Sequence, residues 1–140
     1  MYRHILIPTD GSEIADRGIK AGLLLASALG ARVSIIVVEA PFDPFDVPDN
    51  KAHEAWQIKA YARKVLDEAE RRAKSAGVSC ECVLAGGAKP PQAILETAMN
   101  KGCDLIVMAS HGRGGLSLEL LGSVTQKVLI DAKIPVLVCR

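Results

Sequence analysis

The stretch "DLIVMASHGRGGLSLELLGSV", residues 104–124, joins an unbroken aliphatic run to a segment with four glycines and then to a helix opening at Gly122–Ser123. A continuous run of branched aliphatics reads as a strand buried on both faces, the pattern of a parallel sheet. Glycine inside a helix costs roughly 0.5–1 kcal/mol relative to alanine. A segment that keeps Gly112, Gly114, Gly115 and Gly122 therefore needs positive φ angles, or a backbone that something can approach closely.

Four more runs of the same kind flank this one: "RHILIP" (3–8), "RVSIIVV" (32–38), "VSCECVL" (78–84) and "PVLVC" (135–139). Helical periodicity fills the gaps between them. Ile14, Gly18, Ala21, Leu25 and Ala28 recur three and four apart, with Ser12 as N-cap and Glu13 and Asp16 in the first turn. A second helix, about 52–76, sets Ala62, Val65, Leu66, Ala69 and Ala73 on one side. On its outer face stand the acid-before-base pairs Asp67–Arg71, Glu68–Arg72 and Glu70–Lys74, a solvated surface, and Gly77 closes it. Further helices are expected over 90–101 and 123–132. The alternation predicts an α/β fold: an open, doubly wound, five-stranded parallel sheet with helices on both faces, Rossmann-like. The segment 40–50, with three prolines and both phenylalanines, reads as a loop that could be a lid, a partner contact or, the plainest of the three, a variable connection.

At 140 residues the chain is the length of one domain, and a net charge of +1 gives no basic stripe for nucleic acid. No apolar run approaches the ~18 residues of a membrane span, and the N-terminus has no signal-peptide pattern, so the expected location is the cytoplasm. In that reducing setting Cys80, Cys82, Cys103 and Cys139 read as small apolar filler, since a two-residue spacing lacks the geometry of a zinc site. His4 and His53 read as ordinary surface or strand-edge residues.

Ligands of an open parallel sheet bind beyond the carboxyl ends of its strands. The glycine segment there is not a P-loop, since GxxxxGK[ST] is absent, nor a dinucleotide fingerprint, since Ser117 occupies the third glycine position. It offers main-chain N–H groups and a helix N-terminus, which bind phosphate; Ser123 and Thr125 add hydroxyls and Arg113 a cation. A turn followed by an N-capping serine accounts for the same residues equally well. His111 is expected to bond to main chain, because no carboxylate or hydroxyl partner can be assigned to it.

"IPTDGS" near the N-terminus, the glycine segment and the closing "IPVLVCR" resemble, in that order and over essentially the whole chain, the universal stress protein family of adenine nucleotide alpha hydrolase-like fold. Its nucleotide-binding members carry Gly-x2-Gly-x9-Gly-(Ser/Thr) after the fourth strand. Here the pattern aligns from Ala109 through Gly112 to Gly122-Ser123, with alanine at the first glycine. The resemblance implies a single universal stress protein domain, 1–140, that binds ATP, with Mg²⁺ on the phosphates. It implies that Pro8 and Thr9 line the pocket by backbone and that Asp10 accepts hydrogen bonds from the ribose or adenine side. Val38 would contact adenine, and Ala109, Ser110, His111, Gly112, Arg113, Gly114 and Gly115 would wrap the phosphates. Ser123, Val124 and Thr125 complete the cradle. It also implies a homodimer through the C-terminal edge strand 135–139.

The function expected is that of a nucleotide-dependent regulator or stress-response factor. A slow ATP hydrolase, with at most weak activity and no assignable catalytic residue, and a nucleotide-independent dimeric interaction module are the alternatives. AMP and cyclic AMP remain open as ligands, because nothing in the chain sets the phosphate number.

Overall fold

Strands and helices alternate along the chain. The computed structural model describes residues 1–39, 51–86, 89–111 and 121–140, with 51–55 described by backbone alone. Among the described residues the strands are β1 (His4–Pro8), β2 (Arg32–Val38), β3 (Cys80–Ala85), β4 (Leu105–Ala109) and β5 (Val136–Cys139). They pair in parallel in the order β3-β2-β1-β4-β5. The helices are α1 (Glu13–Leu29), α2 (Lys51–Ser75), α3 (Pro90–Asn100) and α4 (Ser123–Asp131). The expected doubly wound sheet is therefore present, with boundaries within two residues of those read from the sequence. The segment 40–50 lies outside the described residues, as does the side chain of His53.

Residues of alternating parity feed two cores. Ile5, Ile7, Val33, Ile35 and Val107 pack under α1 and α2 with Ile19, Leu23, Leu66 and Ala69, while Leu6, Ile36, Ile106 and Met108 pack under α3 and α4 with Ile94, Ala98 and Val128. Each large aliphatic buried in this way contributes roughly 1.5–3 kcal/mol.

Two sequence expectations about the helices change. Ser12 caps α1 as read, its hydroxyl accepting from the Ala15 N–H at 3.2 Å. The buried face, however, is Ala15, Gly18, Ile19, Gly22, Leu23 and Ala26; of the expected stripe Gly18 is on it, Ala21 and Leu25 pack half-buried at its margin, and Ala28 is exposed. The glycines decide this. A Cβ on Gly18 would stand 3.0 Å from the Ala109 nitrogen, and one on Gly22 would collide with Ile7 Cδ1. The helix thus lies directly on β1 and β4, and apolar counting alone ranks Ala and Leu above Gly. On α2, Arg71 pairs with Glu68, and Arg72 turns inward to Asp16 of α1, tying the two helices together. Lys20 joins Asp16 from one turn further along α1, at 3.3 Å. Burial acts against the Asp16 carboxylate, but the hydrogen bonds from Arg72 and Lys20 outweigh it and hold Asp16 below the ordinary aspartate range.

His4 is not a surface residue. It is 5% exposed in the central strand. Its Nδ1 lies 3.2 Å from the Lys101 carbonyl, which can only accept, so Nδ1 carries the proton; Nε2, 2.8 Å from Ser34 Oγ, then accepts from that hydroxyl. Burial, followed by the Arg32 charge, lowers the His4 pKa despite opposing contributions from the Lys101 bond, Glu81 and Asp104. The Asp104 carboxylate accepts from the Arg3 and His4 N–H groups at 2.9 and 3.0 Å and pins the start of β1 to that of β4. All four cysteines are free, and burial pushes the Cys80 thiol up to about 12 and that of Cys103 to about 11, as filler residues require.

Candidate functional site

From β1 the chain steps outward to β2 and β3, then returns to the other side of β1 for β4 and β5. The order reverses between β1 and β4, so their carboxyl ends diverge into a crevice.

On the β1 side, Thr9 is anchored by its N–H to the Ile36 carbonyl at 2.9 Å. Asp10 Oδ1 accepts from the Ser12 N–H at 2.9 Å, and Thr9 Oγ1 accepts from the Gly11 N–H at 3.1 Å. These local bonds close the turn and leave Gly11 at φ 81°, where glycine is needed. One oxygen of Asp10 is therefore a turn-closing acceptor, a common role for an aspartate before glycine.

On the β4 side, the Ser110 N–H donates to the Cys139 carbonyl at 2.7 Å, and the Ser110 carbonyl accepts from the Gly122 N–H at 2.8 Å. The chain thus leaves at residue 111 and comes back against itself at residue 122. A Cβ on Gly122 would stand 3.3 Å from both Ser110 O and His111 Cα. Thr125 Oγ1 donates to the Ala109 carbonyl at 3.0 Å, fastening α4 to the end of β4. Gly122, not Ser123, is the N-cap, and no side-chain hydrogen bond caps the helix. Ser123 is instead the first helical residue. The opening amides of α4, with the positive end of its dipole, face the crevice. His111 is buried and lies 3.0 Å from Ser110 Oγ by Nδ1, a hydroxyl partner where a main-chain one was expected.

These elements enclose a cavity of about 250 Å³. Of the residues singled out in the sequence, Pro8, Thr9, Asp10, Val38, Ala109, His111, Gly122, Ser123, Val124 and Thr125 line it. Ser110 is buried but does not line it, and Gly112, Arg113, Gly114 and Gly115 lie outside the described residues. Part of the apolar wall was missed: Ala15, Ile36, Met108, Pro90 and Ile94 complete it among the described residues. Strand period two could have found Ile36, which shares a face with Val38; nothing local marks Pro90 or Ile94, which the fold delivers from α3. Among the described residues no three His, Cys, Asp or Glu side chains gather as a metal site. A larger cleft of about 620 Å³ opens between α1 and α2, and among the described residues the helix start that lines it is that of α1, through Ser12 and Glu13.

The model of the universal stress protein family matches residues 1–140. The chain belongs to that family. A universal stress protein of Thermus aquaticus is 38% identical over 144 residues, covering all of both chains, and the universal stress protein YxiE of Bacillus subtilis is 34% identical over 149 residues, again covering both completely. Among solved structures, MJ0577 of Methanocaldococcus jannaschii superposes with a TM-score of 0.83 at 28% identity, over 99% of this chain and 95% of that one. A universal stress protein in complex with cAMP superposes at 0.75 and 29% identity, over 99% and 97%.

The family's first motif glycine is replaced here by Ala109, and the fold accommodates it. Ala109 is the last residue of β4, and no non-glycine residue among those described has a positive φ. Gly18 closes on its nitrogen and Thr125 takes its carbonyl, so position 109 acts as a strand end and does not need a glycine's conformational freedom.

Proposed function

We propose that this universal stress protein binds ATP in the crevice and acts as a nucleotide-dependent regulator. The observation that carries the reading is the N-terminus of α4. It opens into the cavity through a glycine N-cap, with no side-chain cap and with Gly122 packed against the end of β4. Such an end is a seat for phosphate. The cavity, near the roughly 300 Å³ lower bound of ligand pockets, suits a base and its sugar. Ile36, Val38, Met108 and Ile94 would pack on adenine, with Val38 adding main-chain hydrogen bonds. Asp10 would receive the ribose, and Pro8 and Thr9 would line the pocket by backbone. The phosphates would then run over Ser123–Thr125, with Gly112–Gly115 assigned to them by the family resemblance. The related structure with cAMP supports an adenine nucleotide as the ligand class. Mg²⁺ would come in on the phosphates, whose charge it would neutralise, with the Ser123 and Thr125 hydroxyls close by.

The same reading places the protein in the cytoplasm as a homodimer, β5 pairing antiparallel with its twofold mate. Supporting this, β5 is a sheet edge, and Leu137 on it and Ile130 on α4 are 44% and 75% exposed. Among the described residues no helix is long and apolar enough to cross a membrane. Native mass spectrometry of the purified protein tests both parts together: a dimer carrying adenine nucleotide is expected. A protein that neither retains nucleotide nor melts higher in excess ATP would refute the nucleotide reading. Turnover that collapses in His111→Ala at unchanged ATP affinity would instead favour a hydrolase.

A further inference from the structure

The turn that carries Asp10 is a partition between two hollows. Thr9 borders both the crevice and the open cleft between α1 and α2. A segment with space on both sides has few packing partners, so whatever braces it sets where Asp10 stands. Within the turn, Thr9 Oγ1 and Asp10 Oδ1 accept from the Gly11 and Ser12 N–H groups, and the Thr9 N–H joins it to the Ile36 carbonyl of β2. The brace comes from α2. A Cβ built on Gly11 would stand 2.6 Å from Tyr61 Oη and 2.7 Å from Val65 Cγ2, with Tyr61 Cζ at 3.2 Å. Helix α2 is in turn held to the first turn of α1 by the Arg72–Asp16 pair.

We propose that Tyr61, with Val65 one turn further along α2, is a positioning residue that wedges α2 against Gly11 and so holds Asp10 at the nucleotide crevice. Its connection to nucleotide rests on the ATP reading above; the brace itself does not. Because coupling is reciprocal, a ligand that fixes the Asp10 turn also fixes α2, which gives the protein a route from its crevice to an outer helix.

Amide hydrogen exchange on the nucleotide-free full chain, read residue by residue by NMR, tests the brace, and equilibrium dialysis with ATP tests its consequence. Tyr61→Ala is expected to speed exchange at the Gly11 and Ser12 amides about tenfold and to weaken ATP binding about tenfold. The rates at Ile5–Ile7 should stay as in the wild type, showing that the sheet is intact. Tyr61→Phe keeps the ring, whose Cζ is the next atom facing Gly11 after the hydroxyl, and should shift both readouts in the same direction by less than Tyr61→Ala. Val65→Ala should shift both readouts in the same direction by less. Lys64→Ala, which lines the same cleft without being among Gly11's nearest neighbours, should move neither. Unchanged exchange at Gly11 and Ser12 in Tyr61→Ala would overturn the proposal, and so would an ATP affinity equal to that of a binding wild type. Accelerated exchange in a protein whose wild type binds no ATP would sink the nucleotide reading and leave the brace standing.

Discussion

Gly122 offers the sharpest separation between a structural turn and a phosphate seat. Its backbone, φ −62° and ψ 156°, is one that any residue adopts, so glycine is kept there for space. A Cβ would lie 3.3 Å from Ser110 O and His111 Cα, inside the 3.5–4.0 Å of comfortable carbon contacts. Alanine asks β4 and α4 to part by a few tenths of an ångström, at about 1 kcal/mol; the two extra methyls of valine raise this to about 2–3 kcal/mol. For a domain of this size each kcal/mol moves the melting point by roughly 3 °C. The nucleotide-free protein should therefore melt about 3 °C lower in Gly122→Ala and roughly 6–9 °C lower in Gly122→Val. In wild type, ATP at about a hundred times its dissociation constant adds about 2.7 kcal/mol, a rise of roughly 8 °C. Parting α4 from β4 displaces the amides that would hold phosphate, so Gly122→Ala should keep part of that rise and Gly122→Val should lose it. Thermal denaturation with and without ATP reads both effects. A folded Gly122→Val protein with the full wild-type rise would refute the assignment of the phosphate seat to α4.

Three other outcomes are expected. His4 has a lowered pKa in the fold, so its contribution is complete above the unfolded value of about 6.5 and is lost as pH falls through the folded value. Urea midpoints at about pH 7 and pH 5.5 should separate further for wild type than for His4→Gln, and parallel shifts would count against a neutral buried His4. Gly18→Ala should destabilise by about 1–3 kcal/mol, despite alanine's better helix propensity, because the new methyl meets the Ala109 backbone at 3.0 Å; equal or higher stability in urea would contradict that close approach. Finally, the Cys80 and Cys103 thiols, with pKa values pushed to about 12 and about 11, should resist a thiol reagent at neutral pH until the protein is unfolded. Rapid labelling of either in the native state would show them to be accessible.

The aliphatic runs were enough to determine a parallel sheet, and Ser12, Pro90 and Gly77 marked helix boundaries, because period, capping and positive φ are local properties of the chain. The motif from Ala109 to Ser123 pointed to the carboxyl edge of β4 through its resemblance to the family pattern. What only the tertiary structure decided depends on residues far apart in sequence. His4 looked superficial because Ser34 and the Lys101 carbonyl, which bury and satisfy it, arrive from other elements. Arg72 looked like half of a helix-surface pair until Asp16 of α1 came within reach. The contact face of α1 turned on Gly18 and Gly22, whose importance lies in what stands opposite them. Pro90 and Ile94 entered the crevice wall, and Ala109 became a strand end, only once the crossovers had set α3 and α4 against β4. Local sequence determines which elements form; which atoms then meet is settled by close packing between elements, and a single chain read end to end does not contain those distances.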